Sequence, residues 1–127
     1  MQLQKSFTWL KLAVAAMAFT MALPASAAIC DQIQCTDQIA TLYVSNTPIT
    51  GFPGKSYVYV GITNTSELRN LNCTLQPGNY LQLQPDNPGY DKIFSVLQAY
   101  MAAKKPVKIR VNTPSANCSI AYVVVTP

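Results

Sequence analysis

Apolar and polar residues alternate in three early segments of the chain, and this pattern predicts three β-strands. Clusters of turn-forming residues separate these segments, which are residues 39–44, 56–62 and 79–84. In the second segment the alternation places Tyr57 and Tyr59 on one face and Val58 and Val60 on the other. The third segment alternates in the same way and separates Tyr80 from its leucines.

The spacing of apolar residues then changes to that of an amphipathic helix. The residues of its apolar face are Tyr90, Ile93, Phe94, Leu97 and Met101. Asn87 is expected to cap this helix, Pro88 suits its first position, and Pro106 ends it. Residues 106–111 alternate and predict a strand with one solvated face. The continuous apolar run over residues 120–125 predicts a strand that is buried on both faces.

The order of three strands, one helix and two strands predicts a mainly β domain with α+β character. It is the order of the OB-fold, a five-stranded Greek-key barrel, here with its helix between the third and fourth strands. An open α+β sheet is the alternative arrangement of the same elements. The short strands and the single helix favour the barrel.

The first 27 residues have the composition of a secretory signal peptide. Lys5 and Lys11 precede an uncharged apolar stretch, residues 12–23, and an Ala-Ser-Ala sequence ends at Ala27. This arrangement predicts export, with cleavage after Ala27. The mature chain is then residues 28–127, a single domain in the periplasm or outside the cell. The apolar stretch is short for a bilayer, so no membrane span is expected.

The ionisable residues argue against catalysis. The chain contains no histidine, which excludes Ser-His-Asp and Cys-His catalysis and metal sites with histidine ligands. Its acidic residues are scattered singly, and its glycines form no phosphate-binding loop. We therefore expect no enzyme, no metal and no cofactor. Nine basic residues, of which two lie in the leader, stand against five acidic ones, and the resulting +2 is too weak to indicate nucleic acid.

Four cysteines in a small exported domain predict two structural disulfides. Three connectivities are open from the sequence alone. Closure of Cys30 with Cys35 is the simplest pairing near the mature N-terminus, and it leaves Cys73 with Cys118. Chain-entropy arithmetic gives this long closure about 4 kcal/mol of stabilisation.

One part of the sequence resembles a known family. Residues 90–111, the predicted helix with the strand after it, resemble the helix-and-strand segment of B subunits from pentameric A-B toxins, of the subtilase cytotoxin and typhoid toxin type. The shared pattern is a helix with internal aromatic residues, a short polar turn and a Val-basic-Ile strand. Residues 38–44 and 56–59 are similar to the first two strands of the same proteins.

This resemblance implies an OB-fold, a homo-pentamer and recognition of a host or cell-surface glycan. A secreted A-type subunit is the partner of such B subunits, although nothing in this chain itself indicates one. Their serine that contacts sialic acid lies just before the first strand, where this chain has Cys35 and Thr36. Thr36 and its neighbour Asp37 are therefore candidate ligand residues. These B subunits commonly have a cysteine at the position of Tyr59, so Cys73 must have a different partner here.

Tyrosines are the second set of candidate ligand residues. Tyr57 or Tyr59, together with Tyr80, can stack on sugar rings while their hydroxyl groups bond to sugar oxygens. The alternative is that tyrosines simply suit a pleated, half-buried surface. Lys108 and Arg110 share one strand face and can meet an acidic sugar or a phosphate, but such a pair is also typical of a solvated face.

The helix face opposite the apolar stripe is small and nearly uncharged. Ser95, Ala99 and Ala102 lie on it, and in toxin B pentamers this helix lines a central pore. These three residues are therefore candidates for an oligomer interface, with an ordinary solvated helix as the alternative. Taken together, the sequence predicts an exported, non-enzymatic, oligomeric module that binds glycans. The alternative is a free-standing periplasmic protein of the same fold with a structural or inhibitor-like role.

Overall fold

The computed structural model describes residues 29–127, which form five strands and one α-helix. In chain order the elements are β1 (Gln34–Val44), β2 (Val58–Ile62), β3 (Leu81–Leu83), α1 (Tyr90–Ala103), β4 (Pro106–Val111) and β5 (Ile120–Val124). The predicted order of three strands, a helix and two strands is confirmed. A 3₁₀ helix over Thr65–Asn70, which the sequence patterns did not predict, follows β2. The predicted signal peptide lies outside the described residues.

The five strands form one antiparallel sheet in the order β3-β2-β1-β4-β5. This sheet is not closed as a barrel, in contrast to the barrel that the order of elements predicts. Its edge strands, β3 and β5, meet at an isolated parallel bridge between Gln82 and Ser119. There the Gln82 backbone N–H donates to the Cys118 carbonyl at 3.2 Å. Strand β3 has only three residues, and this short length limits how far it can pair with β5.

The central strand, β1, is divided by an irregularity near its middle. Its first half pairs with β4, where Cys35 lies opposite Ile109, and its second half pairs with β2. The register shifts between Ile39 and Thr41, as it does at a β-bulge. A bulge adds one residue to the strand and so changes which side chains face the core. The single strand β1 therefore has two halves with different neighbours and a different phase of burial.

The core lies between the inner face of the sheet and helix α1. On the helix, Tyr90, Ile93 and Leu97 are buried while Phe94 and Met101 are half-buried, so the predicted apolar face is confirmed. The strands contribute fully buried aliphatic side chains, which are Val58, Val60, Ile62, Leu81, Leu83, Val107, Ile109 and Ile120. Burial of such a side chain stabilises the fold by about 1.5–3 kcal/mol relative to exposure.

Strand β5 is not buried on both faces, as its continuous apolar run predicts. Ile120 is buried, but Tyr122 is 51% exposed and Val124 is exposed as well. The physical reason is that β5 lies at the edge of the sheet, and within residues 29–127 no second layer covers its outer face. An apolar composition alone does not report whether such a layer exists.

The start of helix α1 also differs from the prediction. The helix begins at Tyr90, and no side chain in the described part of the chain caps it. Asn87 lies three residues earlier, where its Oδ1 accepts the N–H of Gly89 at 2.8 Å. Its amide donates to the carbonyl of Ile120 at 2.7 Å. The hydrogen bonds of Asn87 therefore attach the segment before the helix to β5. Pro88 precedes the helix and does not occupy its first position.

Both predicted disulfides are present. Cys30 pairs with Cys35 and Cys73 pairs with Cys118, and no cysteine among residues 29–127 is free. The second bond joins the segment before β3 to the segment before β5, beside the bridge between these edge strands. Two disulfides in a domain of this size are typical of an oxidising compartment. Within the same residues, no helix is long and apolar enough to cross a membrane.

Candidate functional site

Three tyrosines cluster on the outer face of the sheet. Tyr43 of β1 lies opposite Tyr59 of β2, with ring centroids 5.7 Å apart and ring planes 28° apart. Tyr80, just before β3, lies 6.3 Å from Tyr59 with its plane tilted by 58°. Gln76 and Pro77 complete the lining of a depression of about 370 Å³. These five residues are the tyrosine site.

The turn before β3 places Tyr80 in this site. The Asn79 N–H donates to the Gln76 carbonyl at 3.0 Å, Pro77 occupies the second position, and Gly78 the third with φ of 91°. This is the geometry and the sequence of a type II turn, whose third residue needs a positive φ. The chain therefore turns sharply and presents the next aromatic ring against the outer face of β2.

Two glycines fit closely against the Tyr80 ring. A Cβ atom added to Gly78 would lie 2.6 Å from the ring atom Cε2, and one added to Gly61 would lie 3.2 Å from Cε1. Real Cβ atoms do not approach another atom as closely as 2.6 Å. The backbone at these glycines therefore limits where the ring can lie.

A buried amide lies beside Tyr59, because Gln82 of β3 is the residue paired with Tyr59 across the sheet. Gln82 is 5% exposed, and its Nε2 donates to the hydroxyl of Tyr59 at 3.5 Å. Its Oε1 accepts the side-chain amide of Gln84 at 3.2 Å. These hydrogen bonds engage both ends of the Gln82 amide. Tyr59 is thus hydrogen-bonded to the neighbouring strand, while Tyr43 is 55% exposed and leaves its ring open to solvent.

The structure brings together two of the three tyrosines predicted to bind a ligand. Tyr59 and Tyr80 are neighbours, whereas Tyr57 precedes β2 and does not line the depression. The Tyr57 carbonyl accepts the N–H of Ser45 at 2.9 Å. The residue that completes the cluster is Tyr43, which the sequence analysis did not identify. The only signal for it was its place in a predicted strand, because pairing with Tyr59 depends on a register that the sequence does not fix.

Thr36 and Asp37 lie in the other half of β1, outside the tyrosine site. Thr36 is exposed and pairs across to Lys108 of β4. The Asp37 Oδ2 accepts the backbone N–H of Asn64 at 2.8 Å and its side-chain amide at 3.1 Å. This carboxylate therefore fastens the segment after β2 onto β1. At about 3.3 Å per residue, Thr36 and Tyr43 are separated by about 20 Å along the strand.

The Cys30–Cys35 disulfide and the side chain of Asp31 fix the N-terminal end of β1. Cys35 is buried in its disulfide, so it presents no group to a ligand. The Oδ1 atom of Asp31 accepts the N–H of Ile33 at 2.8 Å and that of Gln34 at 2.9 Å. These hydrogen bonds, led by the one from Ile33, hold the pKa of the carboxyl below its usual value, and the charge of Arg110 adds to the effect.

Two further surfaces lie away from the tyrosine site. The predicted interface residues Ser95, Ala99 and Ala102 are all exposed on α1. An apolar groove of about 440 Å³ runs between α1 and β5. Its apolar lining includes Pro88, Ile93, Val96, Ala121, Tyr122 and Val123. Among residues 29–127, no group of three or more acidic, cysteine or histidine side chains is placed to hold a metal ion.

Similarity to known proteins adds nothing to this geometry. Comparisons of the chain with protein-family models, with curated proteins and with solved structures found no match. The function therefore has to be inferred from the residues of the chain itself. In the tyrosine site, aromatic rings accessible to solvent and a hydrogen-bonding side chain, Gln76, occur together.

Proposed function

We propose that the chain is an exported, non-enzymatic module of the toxin B-subunit type that binds glycans through the tyrosine site. The observation that carries this proposal is the stacked pair of Tyr43 and Tyr59 with the tilted ring of Tyr80 beside it. Sugar rings present C–H groups to aromatic faces, and their hydroxyl groups bond to phenol and amide groups at the rim. The site offers both, since Gln76 lies beside the rings.

An OB-fold is the finer architecture that we propose for this sheet. The helix between β3 and β4 and the strand order support it. So does the parallel bridge between Gln82 and Ser119, which connects the two edge strands. The OB-fold is itself a partly open barrel, so limited pairing at one seam is compatible with it. The Cys73–Cys118 disulfide lies beside this seam and would brace it.

Export to the periplasm or beyond belongs to the same proposal. The leader-like residues 1–27 and the two disulfides support it. A secreted A-type subunit would be the partner of the module if it acts as toxin B subunits do. A gene for a secreted catalytic chain beside the gene for this one would support that partnership.

We also propose that copies assemble as a homo-pentamer through the exposed small residues of α1. Ser95, Ala99 and Ala102 would let neighbouring helices approach closely around an axis. Light scattering at micromolar concentration should then give about five times the mass of the mature chain. Ala99→Glu would repeat a like charge around the axis and should dissociate the ring without changing the circular dichroism of the monomer. A wild-type protein that is monomeric at every concentration would contradict the assembly.

The glycan proposal is tested with the mature protein on a glycan array, followed by titration of the glycans that bind. Tyr43→Ala should weaken binding by about tenfold, because aromatic contacts of this kind contribute about 0.5–1.5 kcal/mol beyond their buried area. Tyr122→Ala is the matched control, since Tyr122 is similarly exposed but lies on β5. Absence of any bound glycan, or an equal loss in both variants, would contradict the proposal.

The alternative, a free-standing periplasmic protein with a structural or inhibitor-like role, has one observation in its favour. This is the apolar groove between α1 and β5, beside which Tyr122 and Val124 are exposed. Exposed apolar surface of this kind is common at sites of protein contact. A monomer that binds no glycan on the array would favour this alternative.

A further inference from the structure

We infer that the tyrosine site takes an uncharged saccharide and discriminates against acidic sugars, an inference that rests on the proposed glycan binding. The residues that line the depression are three tyrosines, one glutamine and one proline, and none of them is charged. A sugar carboxylate that leaves water for this surface would lose its hydration without gaining a cation. A hydroxyl group would lose much less and can be satisfied by the phenol and amide groups at the rim.

The aromatic faces add a repulsive contribution of their own. The face of an aromatic ring carries the negative part of its quadrupole, which attracts the weakly positive C–H groups of a sugar and repels an anion. Tyr43 and Tyr59 are stacked with ring planes 28° apart, so each ring covers one face of the other, and Tyr43, which is 55% exposed, keeps ring surface open to solvent. An acidic sugar placed on this exposed ring would meet a negative ring face and no compensating charge.

The side-chain amide of Gln82 cannot compensate for this repulsion. Gln82 is buried, its Nε2 is turned toward the Tyr59 hydroxyl and its Oε1 accepts from Gln84. Gln76 is therefore the amide of the depression itself that remains for a ligand. One amide and the phenol groups suit the hydroxyl groups of a neutral sugar, which both donate and accept hydrogen bonds.

The basic residues that could hold an acidic sugar lie elsewhere on the sheet. Lys108 and Arg110 belong to β4 and pair with the first half of β1, where Thr36 lies opposite Lys108. About 20 Å of strand separates Thr36 from Tyr43. One sugar ring therefore cannot stack on the tyrosines and meet these cations at once. The arrangement separates a neutral aromatic site from a basic strand face.

Calorimetric titrations of the mature protein test this inference with matched pairs of probes. The probes are lactose and N-acetyllactosamine, each with and without a terminal sialic acid, together with the glycans found on the array and their acidic counterparts. Titrations at about 50 mM and about 500 mM NaCl separate ionic from neutral recognition, because screening is strong at the higher concentration. The variants are Tyr43→Ala, Tyr43→Phe as its conservative partner, and Lys108→Ala as a control on β4.

The expected result is that a neutral member of a pair binds at least tenfold more tightly than its acidic counterpart. Its Kd should change less than twofold with salt or in Lys108→Ala, should rise about tenfold in Tyr43→Ala, and should be largely preserved in Tyr43→Phe. Tighter binding of acidic members that still depends on Tyr43 would overturn the neutral preference and leave glycan binding at this site intact. No binding, or binding that Tyr43→Ala leaves unchanged in a folded protein, would overturn the proposed function itself. The wild-type comparison remains decisive even if a variant does not fold.

Discussion

The two halves of strand β1 differ in which of their side chains are free to bind a ligand. In the first half, Cys35 is locked in a disulfide and the Asp37 carboxylate is occupied by Asn64. In the second half, Tyr43 is 55% exposed and stacks on Tyr59 without joining the core. Polar groups that are already hydrogen-bonded within the protein have little capacity left to bind a ligand. An exposed aromatic face is still free to contact one.

This difference separates stability from binding along one strand. The first half is held by a disulfide, by the backbone hydrogen bonds that the Asp31 carboxylate accepts, and by the hydrogen bond that Asp37 accepts from the segment after β2. Substitutions there should affect the folded state and leave the proposed saccharide site alone. Replacing Tyr43 should do the reverse.

The two disulfides should differ in how much they stabilise the domain. The chain between Cys73 and Cys118 is much longer than that between Cys30 and Cys35, with sequence separations of 45 and 5. The loop-entropy relation then gives a loss of about 4 kcal/mol for replacing Cys73 and Cys118 with serine, against about 2 kcal/mol for replacing Cys30 and Cys35. Urea unfolding of the two double-serine variants measures both losses. Equal losses would mean that the crosslink at the edge strands is not the dominant one.

Asp37→Ala and Tyr43→Ala should have opposite effects. Asp37→Ala removes the acceptor for two hydrogen bonds from Asn64 and should lower the free energy of unfolding by about 1 kcal/mol, with no change in saccharide affinity. Tyr43→Ala should lower the affinity and leave stability nearly unchanged. Thr36→Ala is the control on the same half of β1 as Asp37 and should change neither quantity. A loss of affinity in Asp37→Ala would show that the two halves of the strand are not independent.

Most of the fold could be predicted from the sequence, because the residues that form the core recur with the local spacing of strands and of a helix. The apolar face of α1 follows from the spacing of residues such as Ile93 and Leu97, and both are buried. The exposure of Tyr122 did not follow from the sequence, because burial of an edge strand depends on whether another layer covers it. Closure of the sheet likewise depends on the length of β3, which is shorter than the alternating segment predicted.

The candidate site was predicted in part for a similar reason. Tyr59 and Tyr80 lie on segments whose alternation places them on one outer face. Simple alternation along β1 would instead put Tyr43 on the same inner face as Ile39, which is buried. The register shift between Ile39 and Thr41 reverses that phase and turns Tyr43 outward. A bulge leaves no clear mark in the amino-acid pattern, so this residue could be found only from the structure.

Gly78→Ala should disturb the tyrosine site beyond its effect on the turn. The new methyl group would strain a backbone with φ of 91° and would lie 2.6 Å from the Tyr80 ring. Gly54→Ala is a matched control, because Gly54 also has a positive φ, 76°, but no atom of the described residues lies within 4 Å of an added Cβ atom. Each variant should lose about 1 kcal/mol of stability through backbone strain. Only Gly78→Ala should also weaken saccharide binding, by a few-fold, and equal affinities in the two variants would argue against a ligand contact at Tyr80.

Asp31 should give the smallest effect, one confined to acid pH and to stability. Because hydrogen bonds from Ile33 and Gln34 lower the pKa of its carboxyl in the folded state, ionised Asp31 stabilises the fold above its unfolded pKa. This contribution is lost as the pH falls below about 4 and through the folded pKa. The difference in stability between wild type and Asp31→Asn should therefore be present at neutral pH and shrink on acidification. The carboxyl is solvent-exposed, so screening keeps the difference small. Urea unfolding of both proteins between about pH 2 and pH 7 measures this difference. A difference that does not vary with pH would mean that the side chain of Asp31 stabilises the first half of β1 independently of its charge.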